Sequence, residues 1–174
     1  MARTHDVAGA ERSIGRAVYD LPDWTTPGWK AVMQAGVLLV AVGLAVVLLI
    51  RRRRHAGVVL LASSVLTWTL SETLKAAVGR GRPTLETLAR LPRDHVDNNG
   101  WPSSHAAVSA ALATALVLTL PLRGWAKGGL AAVALGTAIA RVHLAVHWSL
   151  DVAGGAAIGG AVACLVHLAA RRWA

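Results

Sequence analysis

The chain has 174 residues, 55% hydrophobic and 16% charged, with a mean hydropathy of +0.50 and a formal net charge of +9. Soluble domains carry roughly 25% charged residues, so this composition excludes a disordered protein and counts against a soluble enzyme. One cysteine excludes an intramolecular disulfide framework and a cysteine-rich zinc module.

The N-terminal stretch sets Val7, Ala10, Ile14, Ala17, Val18 and Leu21 at helical spacing, which predicts a short helix lying in a membrane interface. Asp20-Leu21-Pro22-Asp23 and Thr26-Pro27-Gly28 are expected to break it, with Trp24 and Trp29 in the interfacial belt. Ala31 to Ile50 holds one polar side chain, Gln34, and about 20 apolar residues cross a ~30 Å hydrocarbon core. This stretch is longer than a typical signal-peptide core and is followed by Arg51 to Arg54, so it reads as a retained anchor. Further spans are expected near residues 56–78, 104–122, 126–142 and 150–170. Lipid cannot satisfy open backbone groups, and these spans are too long for barrel strands, so they are helices. The expected fold class is all-α: a polytopic membrane helix bundle of about five transmembrane helices plus an N-terminal interfacial helix. Residues 1–30 make the interfacial segment and 31–174 the transmembrane domain.

Five spans put Arg51 to Arg54, Arg123, Lys127, Arg171 and Arg172 on one face, with no acidic residue among them. The other face holds as many basic residues: Arg3, Arg12, Arg16, Lys30, Arg80, Arg82, Arg90 and Arg93. Acidic residues, among them Glu86, Asp94 and Asp97, nearly cancel that second set. The compact Arg51–Arg54 cluster abuts two spans and assigns its face to the cytoplasm, with the N-terminus outside. The excess charge is thereby an orientation signal. No basic domain is left over for nucleic acid.

Three polar groups stand where apolar spans end. Lys75 and Arg82-Pro83 flank Gly79 and Gly81, so two cations border a glycine turn suited to phosphate. Snorkelling at the interface is the plain alternative. Ser103, in Gly100-Trp-Pro-Ser-Ser-His105, opens the third span as a candidate N-cap, and a helix N-terminus attracts anions. His105 in that first turn can donate a proton to a leaving oxygen. A capped helix with an incidental histidine is equally compatible. Arg141, His143, His147 and Asp151 form the third group. Asp151 lies four residues after His147, close enough on a helix to fix its tautomer and leave the other nitrogen free to attack. Arg141 offers a fork for phosphate oxygens. His143 and His147 have the spacing of a metal pair, but Leu144 stands where a zinc helix usually carries glutamate. With five spans all three groups meet at the outer face, as a phosphate site with a nucleophile, an acid and an orienting carboxylate.

These motifs resemble the type 2 phosphatidic acid phosphatase superfamily, membrane lipid phosphatases related to vanadium haloperoxidases. That family's signature is K-x6-R-P, then P-S-G-H, then S-R-x5-H-x3-D. Here it reads Lys75 to Arg82-Pro83, Pro102-Ser103-Ser104-His105, and Ala140-Arg141 with His147 and Asp151. Ser104 replaces the family glycine and Ala140 the family serine, and both changes bear on phosphate binding. Family members commonly have six spans. The resemblance implies that His147 attacks phosphorus, Asp151 holds its tautomer and stabilises its charge, and His105 protonates the leaving oxygen. Lys75, Arg82, Ser103, Ser104 and Arg141 hold the phosphate. No metal and no cofactor are implied. Glu72 and His143 are supporting residues or simply buried and paired.

The expected function is hydrolysis of a lipid phosphate or pyrophosphate through a phosphohistidine intermediate. Polyprenyl pyrophosphate is preferred over phosphatidylglycerol phosphate and phosphatidic acid. The expected setting is the plasma membrane, with the site on the extracytoplasmic face. A lipid phosphotransferase would use the same residues. A vanadate-dependent haloperoxidase and a non-catalytic membrane scaffold are the rival classes. The Asp94 to Gly100 stretch reads as a surface turn, and Gly155 to Gly159 as a small-residue contact within the bundle. Cys164 reads as packing and His167 as an interfacial polar residue. Trp68, Trp125 and Trp173 read as interface or packing aromatics.

Overall fold

The computed structural model describes residues 9–85, 92–94 and 99–172. Arg3, Val7, Glu86, Arg90, Asp97 and Trp173, together with 95–98 of the expected turn, lie outside the described residues. Seven α-helices run in order among the described residues: α1 Gly9–Tyr19, α2 Thr26–Val32, α3 Leu38–Ile50, α4 Arg54–Val78, α5 Ser104–Thr119, α6 Gly124–His143 and α7 Ser149–Ala170.

By length and composition α4 and α7 can each cross a membrane. A bent pair, Asp23–Gly36 with Leu38–Ile50, counts as a third crossing if taken as one span. The expected straight helix over 31–50 is therefore corrected. A 3-10 turn over Met33–Gly36 and an extended Val37 bend the chain by 55°. Gly36 explains the place of the bend, because a Cβ there would lie 2.4 Å from the His105 carbonyl oxygen. The turn sits directly on the first turn of α5, a contact that apolar periodicity cannot reveal. Thr26-Pro27-Gly28 is a second correction: it starts α2 instead of breaking a helix. Proline fits a first helical turn, where its missing N–H has no partner to lose. The five-span count also loses its simplest support at α5. That helix has 16 residues, against about 20 for a full crossing.

Helix α5 is central. Val108, Ala111, Leu112, Ala115 and Leu116 join Ala41 and Ala45 of α3, Val59 and Leu60 of α4 and Ala163 of α7 in the main core. Half of these residues are alanines, which permit close helix approach in an apolar bundle. Gly155 and Gly159 play the packing role expected of them. A Cβ at Gly155 would stand 2.4 Å from the Ser103 carbonyl oxygen, and one at Gly159 only 2.0 Å from that of Ala107. Backbone cannot yield as a side chain can. Gly159→Val is expected to destabilise the bundle by about 3 kcal/mol, read as an earlier thermal transition in detergent.

Helix α1 packs against the bundle. Its buried stripe is Glu11, Gly15 and Tyr19, which faces the bundle. Ala10, Ile14 and Ala17 of the expected apolar stripe remain exposed on another side. Tyr19 packs with Ala145 and Trp148, so α1 rests over the turn between α6 and α7. That turn and the starts of α5 and α7 carry the polar groups singled out above.

Candidate active site

Lys75 ends α4 on its buried side, and Gly79 (φ 65°) stops the helix in the left-handed conformation that glycine adopts freely. The chain then returns through Arg80 and Arg82 toward Gly100, whose N–H donates to the Arg80 carbonyl oxygen at 2.7 Å. Asn99 Nδ2 donates to the Lys75 carbonyl oxygen at 2.9 Å. These bonds fasten the glycine turn to the start of α5. Helix α6 brings in Arg141 at its end, and the following turn brings in His147.

The result is a cavity of about 430 Å³ whose polar wall includes Lys75, Arg82, Ser104, His105, Arg141 and His147. Polar residues from Glu72 to His147, up to 75 positions apart in the chain, thus meet in one chamber. Met33 and the run from Gly36 to Leu39 form an apolar side together with Trp68. Leu39 is 78% exposed and Trp68 42% exposed, so this side continues onto the outer surface of the bundle. Glu72 and Asp94 also line the cavity.

His147 is buried, and its Nε2 lies 3.2 Å from Arg82 Nη1. Arginine only donates, so Nε2 accepts and the ring proton resides on Nδ1. That assignment follows from the hydrogen-bond network. Arg82 also donates to the carbonyl oxygens of Val146 and, at 3.1 Å, Asn99. The lone pair of Nε2 therefore faces the cation-lined side. Asp151 Oδ2 stands 3.5 Å from Nδ1, long for a hydrogen bond, as catalytic pairs often are before substrate arrives. Asp151 is the third residue of α7 and is fixed by the Trp148 N–H at 2.8 Å and by Arg80 Nη1 at 2.7 Å. It lies behind His147 and does not line the cavity.

His147 lies in a turn outside the spanning helices. Burial, reinforced by the charges of Arg82, Arg141 and Lys75, holds its pKa well below the ordinary histidine value. The imidazole is therefore neutral at neutral pH. An unfolded chain protonates a histidine near pH 6.5, about the ordinary value, whereas the folded chain does not. The unfolded state then binds more protons and is favoured by acid. Stability is expected to fall as the pH drops below about 6.5, with His147→Gln showing a shallower fall. Thermal unfolding in detergent on both sides of that pH reads the difference.

The cations that line the chamber are themselves engaged. Lys75 Nζ donates to Glu72 Oε1 at 2.7 Å, and Ser104 Oγ donates to the same oxygen at 2.7 Å. The hydroxyl that replaces the family glycine is thus engaged by a carboxylate. Arg141 is buried, lies 3.8 Å from Asp94 and leaves its Nε without a partner. Ser103 occupies the N-cap position of α5, but its hydroxyl makes no capping bond. Its Oγ is buried without a partner and does not line the cavity, while its N–H donates to the Asp151 carbonyl oxygen at 2.9 Å. The capping expected of Ser103 is therefore corrected: the residue ties α5 to α7 through its backbone.

His143 is buried away from the cavity, 3.0 Å from both the Val18 carbonyl oxygen and Thr26 Oγ1. It is a paired core histidine, and among the described residues no group of three or more His, Cys, Asp or Glu gathers as metal ligands do. Sequence reasoning missed Met33 and Gly36 to Leu39, because they belong to a bend hidden in an apolar run. It also missed Arg80 and Glu11, whose ion pair at 2.6 Å joins residues far apart in the chain. Glu11 recurs with Gly15 and Tyr19 at helical spacing, a signal overshadowed by the more apolar neighbouring stripe.

Known proteins share this fold. The fold matches the crystal structure of a transmembrane PAP2 type phosphatidylglycerolphosphate phosphatase from Bacillus subtilis, with TM-score 0.79, 23% identity, and coverage of 98% of this chain and 89% of that one. It also matches Aquifex aeolicus LpxE, with TM-score 0.77, 21% identity, and coverage of 95% and 98%. In sequence the chain is 32% identical over 126 residues to an undecaprenyl-diphosphatase from Sulfolobus acidocaldarius, covering 70% of this chain and 58% of that protein. It is 30% identical over 109 residues to a putative undecaprenyl-diphosphatase of Escherichia coli, covering 63% and 52%. The chain spans only a little over half the length of these curated relatives. The family model of the PAP2 superfamily matches residues 55–174, which include every motif residue from Lys75 to Asp151, and the chain belongs to that superfamily.

Proposed function

We propose that the chain is an integral membrane phosphatase that hydrolyses a lipid phosphate or pyrophosphate through a phosphohistidine. The observation that carries this reading is the chamber itself. Three cations and a neutral, properly tautomeric histidine occupy one wall, and an apolar side opens along Leu39 and Trp68. A phosphorylated headgroup fits the first and a lipid tail the second. Polyprenyl pyrophosphate is the preferred substrate, a reading supported by the undecaprenyl-diphosphatase relatives.

In this mechanism Lys75, Arg82 and Arg141 gather the terminal phosphate, helped by Ser104 and the N–H groups at the start of α5. Glu72 releases Lys75 and Ser104 as the phosphate oxygens replace it. His147 Nε2 attacks phosphorus, a P–N bond forms, and the bond to the leaving oxygen breaks. His105, in its protonated form, gives that oxygen a proton. Asp151 faces the Nδ1–H of the ring and offsets the positive charge that the phosphorylated ring acquires. Water, relieved of a proton by the now neutral His105, then cleaves the P–N bond and releases inorganic phosphate. Charge grows on the phosphoryl oxygens in both steps, where fixed cations stabilise it most. Ser103 serves the phosphate through the α5 start that it fastens. The cations supply the electrophilic role, so the mechanism needs no metal.

The active site faces the extracytoplasmic side of the plasma membrane in this reading. Arg52 to Arg54 lie with Thr119 and Leu120 at the far ends of α4 and α5, opposite Lys75 and His105. Residues 1–30 act as an interfacial segment, with Ala10, Ile14, Ala17 and Trp24 toward lipid, and 31–174 as the phosphatase domain. The test is phosphate release by detergent-purified protein in EDTA, from polyprenyl pyrophosphate, phosphatidylglycerol phosphate and phosphatidic acid. Release without metal, strongest from the polyprenyl substrate, is expected. No release from any lipid contradicts the reading.

A further inference from the structure

Outside the cavity, Glu11, Arg80 and Asp151 form a continuous line of side chains. Arg80 Nη1 donates to Asp151 Oδ1 at 2.7 Å, and Nη2 donates to Glu11 Oε2 at 2.6 Å. The other oxygen of Glu11, Oε1, accepts the Leu150 N–H at the start of α7 at 3.0 Å. Glu11 is 4% exposed and Asp151 fully buried. One guanidinium thus serves two carboxyl groups. Without Glu11, Arg80 would be free to bring both ends of its fork onto Asp151, as arginine does with a lone carboxylate.

That difference reaches the reacting atoms. Asp151 Oδ2 is the oxygen beside His147 Nδ1, and it is held there by the Trp148 N–H while Arg80 takes Oδ1. A histidine that bonds to phosphorus becomes cationic, so it needs a neighbouring carboxylate oxygen that is not already taken. We propose that Glu11 of α1 is a positioning residue for phosphoryl transfer: it engages one end of the Arg80 fork, so that Arg80 holds only Oδ1 of Asp151 and Oδ2 stays on His147. The proposal rests on the phosphohistidine reading given above. It makes the N-terminal helix a part of the catalytic apparatus, and it assigns Arg80 a role distinct from the phosphate-binding cations.

Glu11→Gln tests it, because glutamine keeps the shape and can still accept the Leu150 N–H. Release of phosphate from a polyprenyl pyrophosphate is measured beside the affinity for orthovanadate, a mimic of the phosphoryl-transfer transition state. The variant is expected to lose about ten- to a hundredfold in kcat, with KM within about twofold of the parent. Orthovanadate affinity falls in parallel. Removing the unshared cation as well, in Glu11→Gln/Arg80→Met, restores part of the lost kcat. A purely structural tether predicts the opposite, with the double variant worse than the single and both tracking a lowered unfolding temperature. That outcome overturns the proposal, as does a single variant with parental kcat and orthovanadate affinity. If the parent protein releases no phosphate, the hydrolase reading fails. The orthovanadate comparison then decides the role of Glu11 separately: weakened binding supports it and unchanged binding overturns it.

Discussion

His147→Ala is expected to lower phosphate release by about 10⁴-fold or more, since removing a nucleophile takes away the covalent route itself. KM should change far less, because in the proposed mechanism Lys75, Arg82 and Arg141 gather the phosphate. The residual rate comes from those cations and from the bound orientation of the substrate. Folding is not the confounding factor that burial of His147 suggests. The ring is neutral, and Arg82, which donates to its Nε2, keeps the carbonyl oxygens of Val146 and Asn99 when the ring is removed. Measured kcat and KM for the variant, with its unfolding temperature, check this. A variant retaining a tenth of the rate, about 1.4 kcal/mol of barrier, contradicts the nucleophile assignment.

Arg141→Lys carries the second large effect. The charge stays, yet the fork that can grip two phosphate oxygens is lost. Arg141 reaches the cavity from the end of α6 with its side chain 4% exposed. Its Nε is buried without a partner, a costly state that a phosphate bound as proposed would relieve. Removing one such contact to developing charge typically lowers kcat by about 10²- to 10³-fold. Arg141→Lys is expected in that range, well beyond what a surface charge would show. Steady-state kinetics beside Arg123→Lys, at the far end of α6, separates the two cases. Equal small effects at both positions would remove Arg141 from the phosphate site.

Much of this site is legible in the sequence, and the reason is local. Lys75, Arg82, His105, Arg141 and His147 are ionisable residues at the ends of apolar runs, where an unexplained charge is expensive. Helix ends on one side of a bundle then bring them together with no detailed knowledge of packing. His147 and Asp151 need only the four-residue spacing across a turn and a helix start. Glu11 and Arg80 were illegible for the converse reason. Their bond spans 69 positions, and each residue alone resembles an ordinary interfacial charge.

The bend at Gly36 shows the same limit in an apolar segment. Hydropathy reads composition, so twenty apolar residues look like one span whether or not they are straight. What bends them is the absence of a Cβ against the His105 backbone, a contact with a helix that begins about seventy residues later. The role of α5 was hidden likewise. Its sequence is apolar enough for lipid, but its burial on nearly all sides makes it the hub on which α3, α4 and α7 pack. The bend then matters for function, because it brings Met33 and Gly36 to Leu39 to the side of the chamber where a lipid tail would pass.

Direct capture of the covalent intermediate tests the central claim most sharply. Protein mixed briefly with polyprenyl pyrophosphate labelled in its terminal phosphate is quenched in alkali, which preserves a P–N bond, and digested for mass spectrometry. The account predicts label on residue 147 that is lost in acid, stays through the alkaline quench, and disappears in His147→Ala. Phosphate release with no labelled protein at any quench time, or label carried by another residue, would contradict it.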